Sequence, residues 1–169
     1  MKKTYRYFKS QVLDEAEEIS ENEAHKKGHY IKCHFLDETL LRFEIMTPDG
    51  VHEMAYFGPT PINASLLETH IAEYGAVNFR IDTEPPYPLS KTSTSLRYWY
   101  TETGKHQSTV EIKYNSKGLI VEVEVKDPSG QFISREVSHY DETELNLLKI
   151  VNTLANGMEY ISFDSEDFE

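Results

Sequence analysis

Two segments of the sequence, eighty residues apart, follow the same strand-and-turn pattern. Residues 119–130 read Leu-Ile-Val-Glu-Val-Glu-Val-Lys-Asp-Pro-Ser-Gly, and residues 39–50 read Thr-Leu-Leu-Arg-Phe-Glu-Ile-Met-Thr-Pro-Asp-Gly. In both, apolar residues recur at every second position, which is the period of a half-buried strand, and a Pro-x-Gly turn follows without a gap. A strand of this kind must bury its apolar face. The pattern therefore predicts two copies of an antiparallel sheet.

The elements around the two copies occur in the same order, which is strands, then one helix, then a short strand. In the first half the helix begins near Asn63 and is closed by Gly75. In the second half Asp141 is predicted to cap a helix that ends at Gly157. The sequence thus predicts an α+β fold, a tandem duplication of an antiparallel β-meander plus a covering helix. The predicted parts are a first unit at 1–84, a Pro/Ser-rich linker at 85–95, and a second unit with an acidic tail at 96–169.

An extra acidic helix is predicted at 12–27, in the first unit only, with a thin apolar stripe of Val12, Ala16 and Ile19. Six of the ten residues from 14 to 23 are acids, and the last six residues of the chain contain four more. Either feature alone is typical of a solvated helix face or a frayed terminus. Together they predict a partner-binding surface made of Asp14, Glu15, Glu17, Glu18, Glu21, Glu23, Asp164, Glu166 and Asp167.

The charge of the chain excludes some classes of partner. With 29 acids and 17 bases the net charge is −12, which opposes binding to nucleic acid or to an anionic membrane. A basic protein is the partner that this charge favours. No apolar run approaches membrane-spanning length and no secretory signal is present, so the predicted location is the cytoplasm. The single cysteine, Cys33, cannot form an internal disulfide and is predicted to be buried.

No pattern in the sequence predicts catalysis, a cofactor or a metal. The seven histidines lack metal-binding spacing, and Cys33 and His34 must point to opposite sides of a strand. No serine lies in a Gly-x-Ser-x-Gly elbow, and no glycine-rich phosphate loop exists. The paired carboxylates Glu122 and Glu124 share a strand face with Lys126, while Val123 faces the predicted core. These two acids are therefore predicted to lie on a solvated sheet face.

The aromatic opening Tyr5-Arg6-Tyr7-Phe8, the acidic helix and the first meander resemble an uncharacterised Tyr-rich bacterial domain family. As a small, acidic, Tyr-rich β-plus-helix chain, the protein also resembles the immunity proteins of bacterial toxin systems. Those proteins neutralise a toxin by binding it, often through acidic or aromatic side chains. The resemblance implies a non-enzymatic binding protein whose basic partner is a cognate toxin. Two alternatives stay open: an interaction or scaffold module that forms a homodimer, and a small enzyme with a site between the two units.

Overall fold

The structure, a computed structural model, describes residues 2–11, 13, 15–58, 62–83 and 94–165. Most of these residues are in strands. The strands are β1 (Lys3–Phe8), β2 (Glu18–Ile19), β3 (Tyr30–Leu36), β4 (Thr39–Thr47), β5 (Gly50–Phe57), β6 (Asn78–Asp82), β7 (Thr94–Tyr100), β8 (His106–Tyr114), β9 (Ile120–Lys126), β10 (Phe132–Tyr140), β11 (Leu147–Leu154) and β12 (Glu159–Asp164). The helices are a 3₁₀ turn (Glu15–Glu17), α1 (Glu21–Lys27) and α2 (Ala64–Tyr74).

The twelve described strands belong to one sheet, in the order β12-β11-β10-β9-β8-β7-β6-β5-β4-β3-β1-β2. β6 pairs in parallel with β5, because α2 forms the crossover between them. Neither described α-helix has the length and apolarity needed to cross a lipid bilayer. The predicted α+β duplication is therefore wrong, since the molecule is a largely β fold whose described strands share one sheet.

The chain forms two compact units, Met1–Ser90 with Tyr98–His106 and Lys91–Arg97 with Gln107–Glu169. The predicted linker at 85–95 lies outside the described residues up to position 93, and β7 begins at Thr94.

In the first unit α2 covers one face of the sheet, as predicted. The Asn63 side chain accepts a hydrogen bond from the Leu66 amide at 2.8 Å, which caps the helix start, and Gly75 ends the helix. Apolar side chains of α2 pack on Met54, Tyr56 and Phe79. The opposite face of the sheet buries a second cluster, Phe8, Leu13, Ile31, Cys33, Phe35, Leu40, Phe43 and Ala55. Cys33 is fully buried, which confirms the prediction of a buried cysteine, and burial raises the pKa of its thiol to about 12.

The single acidic helix predicted at 12–27 is wrong. Residues 15–17 form a 3₁₀ turn and β2 follows, paired with β1, before α1 begins. The break occurs at Ser20, which is extended and forms a capping box with Glu23. An extended N-cap residue cannot continue a helix from the residues before it, so only α1 is helical, and Gly28 ends it as predicted. Val12 of the predicted stripe lies outside the described residues.

Five turns between residues 101 and 158 share one geometry. In each, the amide of the fourth residue donates to the carbonyl of the first at 2.9–3.0 Å, and the fourth residue has a positive φ between 61° and 85°. A tight turn followed by a left-handed residue is a common hairpin connection. The fourth residues are Gly104, Gly118, Gly130, Glu144 and Gly157.

This repeated turn explains why the helix predicted from Asp141 to Gly157 is wrong. The Asp141 carboxylate accepts the Thr143 amide at 3.1 Å, as a helix cap would, but the chain then reverses into β11. β11 carries the β-branched Ile150, Val151 and Thr153 and pairs antiparallel with β10. β12 pairs antiparallel with β11, whereas β6 pairs in parallel with β5. The two halves of the chain therefore have different topologies.

Without the predicted covering helix, the second unit has no second layer among its described residues. Val121, Val123 and Val125, which were predicted to face a core, are only half-buried. Of the described residues in this unit, Ile112 alone is buried, with 2% of its surface exposed. The unit is held together by backbone pairing and cross-strand side-chain contacts, with little burial.

Substitution of two glycines by alanine tests the packing at the first of these turns. Gly104 and Gly118 have φ values of 81° and 80°, so alanine strains both backbones equally. A Cβ at Gly104 would lie 2.7 Å from the Cδ atoms of Leu67 in α2, whereas a Cβ at Gly118 meets nothing within 4 Å. We expect Gly118→Ala to lower the free energy of unfolding by about 1 kcal/mol, and Gly104→Ala by about 2–3 kcal/mol. Urea titration measures both, and equal losses would contradict the contact with Leu67.

Candidate functional site

The acids predicted to bind a partner occupy several elements. Glu15 and Glu17 lie in the 3₁₀ turn, Glu18 in β2, Glu21 and Glu23 in α1, and Asp164 in β12. Asp14, Glu166 and Asp167 lie outside the described residues.

Glu18, Glu21 and Glu23 are among the acids of this set that make contacts within the protein. Arg6 Nε donates to Glu18 Oε1 at 2.9 Å, and this hydrogen bond lowers the pKa of Glu18. Tyr7 donates its hydroxyl proton to Glu21 at 2.6 Å, and Glu23 accepts the Ser20 amide at 3.0 Å in the capping box. These three carboxylates therefore help to fix the N-terminal segment on the sheet. Alternation and composition in the sequence did not indicate these contacts.

A buried carboxylate, Glu44, is the centre of a polar network in the first unit. Its residue surface is 4% exposed. His34 Nε2 lies 2.6 Å from Glu44 Oε1, the Tyr74 hydroxyl donates to the same oxygen at 2.9 Å, and Lys32 Nζ lies 3.4 Å from Oε2. Burial alone would raise the pKa of Glu44, but these partners lower it to about 2. Glu44 is therefore ionised near neutral pH, with donors on both oxygens.

A cavity of about 320 Å³ adjoins this network. Arg42, on its wall, forms an ion pair with Glu73 at 2.8 Å and stacks over the Tyr74 ring at 5.3 Å. A general base works best when its pKa is near the operating pH, which that of Glu44 is not. The network instead fixes α2 to the sheet. The cavity is lined by Lys3, Thr4, Tyr5, His34, Phe35, Leu41, Arg42, Tyr56, Leu66 and Glu73.

His70 lies on the buried face of α2, with none of its surface exposed, and is held as the neutral imidazole. Its Nε2 donates to the Val77 carbonyl at 2.7 Å, so its Nδ1 accepts the hydrogen bond of 3.0 Å from the Tyr56 hydroxyl. Burial lowers the pKa of His70, because the imidazolium would lose solvation and could not accept from Tyr56.

A second buried charge, Arg80, lies on the other face of the sheet, with 3% of its surface exposed. Its guanidinium donates to Glu53 at 2.7 Å, to Gln11 at 3.0 Å and to Asp82 at 3.2 Å. These three hydrogen-bond partners offset the desolvation cost of burying the guanidinium charge. The only signal in the sequence was an arginine at an inward position of a short apolar strand, two residues before an aspartate.

Within the described ranges, no group of three or more His, Cys, Asp or Glu side chains is placed to hold a metal ion.

In the second unit, one sheet face carries a balanced set of charges. Glu122 accepts from Lys113 at 2.8 Å, and Glu124 is paired with Lys126 at 2.8 Å and with Arg135. This face was predicted to be solvated; its acids are partly exposed and are matched by bases. The net negative charge of the protein therefore does not come from this face.

Exposed apolar side chains are concentrated at the last hairpin of the chain. Ten large hydrophobic residues are exposed in the described part of the protein, and half of them lie between residues 145 and 161. Tyr160 and Ile161 of β12 are 48% and 55% exposed, and Met158 in the turn before it is 52% exposed. Sequence reasoning missed this surface because it predicted a helix in place of β11. The five residues are Leu145, Leu148, Met158, Tyr160 and Ile161.

Two comparisons with known proteins give no match. No protein-family model matches the chain, and no curated protein matches its sequence.

The structural role assigned to Glu44 is tested by Glu44→Gln. Because the pKa of Glu44 is lowered from 4.5 to about 2, its charge stabilises the fold fully above pH 4.5, and this contribution is lost as the pH falls towards 2. We expect Glu44→Gln to lower the free energy of unfolding by about 3 kcal/mol at pH 7 and to weaken the pH dependence below pH 4.5. The matched control Glu73→Gln, at an exposed ion pair, should cost about 1 kcal/mol or less. Similar losses from both variants, measured by urea titration, would contradict this role.

The buried His70 gives a second pH dependence with its own window. Because its pKa is lower in the folded chain than the ordinary 6.5, the unfolded chain binds a proton first as the pH falls. Stability is therefore full above pH 6.5 and declines below it. We expect thermal unfolding scans between pH 7 and pH 5 to show a smaller decline for His70→Gln than for the unaltered protein. His52→Gln, at an exposed histidine, should leave the decline unchanged. An unchanged decline in His70→Gln would mean that another group causes it.

Proposed function

We propose that the protein is a non-enzymatic binding protein of the immunity type, which neutralises a basic bacterial toxin by direct stoichiometric binding in the cytoplasm. The observation that carries the proposal is the exposed apolar surface of the last hairpin, including Tyr160 and Ile161, on a chain of net charge −12. Apolar side chains that cluster on a surface are typical of interaction sites. The proposal also depends on the resemblance to immunity proteins.

Two kinds of interaction would determine how fast such a complex forms and dissociates. The negative charge accelerates encounter with a basic partner, an effect that salt screens over a Debye length of about 8–10 Å. Aromatic and aliphatic contacts that become buried determine how slowly the complex dissociates. Tyr160 is suited to the second role, because a tyrosine presents a large apolar ring and a polar hydroxyl.

The interior of the first unit supports a binding function more than an enzymatic one. Its best candidate catalytic group, Glu44, is held by His34, Tyr74 and Lys32 and has a pKa far below neutral pH. The alternative function, a scaffold, requires a different partner. That partner would be a second copy of this chain or a protein that is not toxic.

The proposal is tested with the tagged chain as bait in its native cell. We expect a basic protein to co-purify, to form a complex of one copy each by light scattering, and to arrest growth when it is expressed alone. Co-expression of the present protein should restore growth. A partner that leaves growth unaffected, or a chain that only self-associates, would overturn the immunity proposal and favour a scaffold.

Single charge reversals in the N-terminal segment test whether its acids steer the partner. Glu17→Lys and Glu18→Lys each change the net charge by two units, but only Glu18 is paired with Arg6. We expect both variants to slow association with the co-purified partner to a similar extent at low salt, and less so at high salt. Only Glu18→Lys should also lower the free energy of unfolding, by about 1 kcal/mol. Stopped-flow association measures the first effect, and an unchanged rate in both variants would mean that these acids do not steer the partner.

A further inference from the structure

We infer that the partner binds by adding a basic β-strand to the edge of the sheet at β12. The inference rests on the proposed function and names the surface and the chemistry of recognition. In the described part of the chain, β12 pairs with β11 and is the last strand in the sheet order. The strand at the other end, β2, has only two residues, which pair with Tyr7 and Phe8 of β1. β12 has six, enough to align a partner strand.

The hydrogen-bonding pattern of the last hairpin determines which backbone groups are available. The Leu154 amide donates to the Met158 carbonyl at 2.9 Å, so these two residues form a hydrogen-bonded pair. Bonded and non-bonded pairs alternate along an antiparallel ladder, and Asn152 is opposite Tyr160. Tyr160 therefore directs its backbone groups towards β11. Glu159 and Ile161 direct theirs outward, where an added strand would pair.

The side chains of β12 offer contacts on both faces of the sheet. Consecutive residues of a strand point to opposite faces, so Tyr160 and Ile161 lie on different faces. Both are about half exposed. A strand placed beside β12 would cover part of each, so that main-chain hydrogen bonds and apolar contacts form together.

Charge favours a basic strand over a second copy of this chain. Antiparallel self-pairing along β12 would bring together two strands that each carry Glu159 and Asp164, and like charges that face each other across strands are destabilising. Each copy also carries a net charge of −12, which opposes association of two copies. A partner strand with Lys or Arg opposite Glu159 replaces this repulsion with attraction. The structure thus points to a strand in which basic residues alternate with β-branched or aromatic ones.

The test begins with peptide selection on the full-length protein. Random peptides of about ten residues, the length of a long strand, are selected for binding, and one enriched sequence is synthesised as the probe. We expect enrichment of Lys or Arg alternating with β-branched or aromatic residues. In hydrogen exchange measured by NMR, the bound probe should slow exchange of the outward amides of Glu159 and Ile161. Acidic or unpatterned selected sequences would overturn the inference.

Two variants at one position separate the backbone contribution from the side chain. Ile161→Pro removes an outward amide without removing a bond to β11, whereas Ile161→Thr keeps the amide and the strand preference. We expect Ile161→Pro to weaken binding of the probe at least about tenfold relative to Ile161→Thr. Protection of the Tyr160 amide in both variants would show that β12 still pairs with β11. Equal affinities for the two variants would overturn strand addition.

The remaining outcomes distinguish this inference from the proposed function. A co-purified toxin that binds one to one while leaving exchange at Glu159 and Ile161 unchanged would overturn the edge site and leave the proposed function standing. A probe that protects β12 while no growth-arresting partner exists would retain the edge as a basic-strand site and overturn the immunity role. Dimers in sedimentation with β12 protected would overturn the choice of a basic partner.

Discussion

The second half of the structure depends on tight hairpin turns whose fourth residue must adopt a left-handed backbone conformation. A strand that reverses after one tight turn has to pair with its predecessor, so each further turn adds one antiparallel strand and no helix. Four of the five turns meet this constraint with glycine; Glu144 does so with φ 61°. Its carbonyl accepts from Asn115 at 3.1 Å and its carboxylate from Ser116 at 2.7 Å. The neighbouring turn thus stabilises the non-glycine residue in a conformation that it rarely adopts.

The two units are stabilised by different physical terms. The first has apolar clusters on both sheet faces, together with buried charges such as Glu44 and Arg80, each with several partners. Removing one partner from such a network is costly, since it leaves a charge buried and unmatched. The second unit buries little and relies on ladder hydrogen bonds and on cross-strand pairs such as Lys113 with Glu122. Pairs of this kind contribute roughly 0.2–1 kcal/mol each, so many are needed.

Sequence reasoning predicted the elements whose signals are local. Alternation located most of the strands, and the cap at Asn63 with the stop at Gly75 located α2. It failed at Asp141, because an Asp side chain that accepts an amide two or three residues on occurs both at a helix cap and in a hairpin turn. Asp127 opens the turn that was predicted at 128–130, and an acid in the same position at Asp141 was a visible signal for a further hairpin, which the apparent eighty-residue repeat obscured.

The buried networks could not be predicted from such signals. Glu44 lies opposite Lys32 in the register of β3 and β4, and Tyr74 reaches it from thirty residues further along the chain. Alternation identifies which residues of one strand share a face, but not which residue of the next strand is opposite. For the same reason Glu18, Glu21 and Glu23 were predicted to bind a partner although they make contacts within the protein, Glu18 with Arg6 among them.

This contrast bears on where a binding function would reside. In the first unit Glu44, His34 and Arg42 already have partners, so a ligand would have to replace these contacts to bind there. At the last hairpin, Met158, Tyr160 and Ile161 retain about half of their surface in water. Covering them adds apolar burial at little desolvation cost, and a sheet edge supplies direction through its backbone groups. In the described part of the second unit, the sheet therefore leaves in water the apolar side chains that the predicted covering helix would have buried.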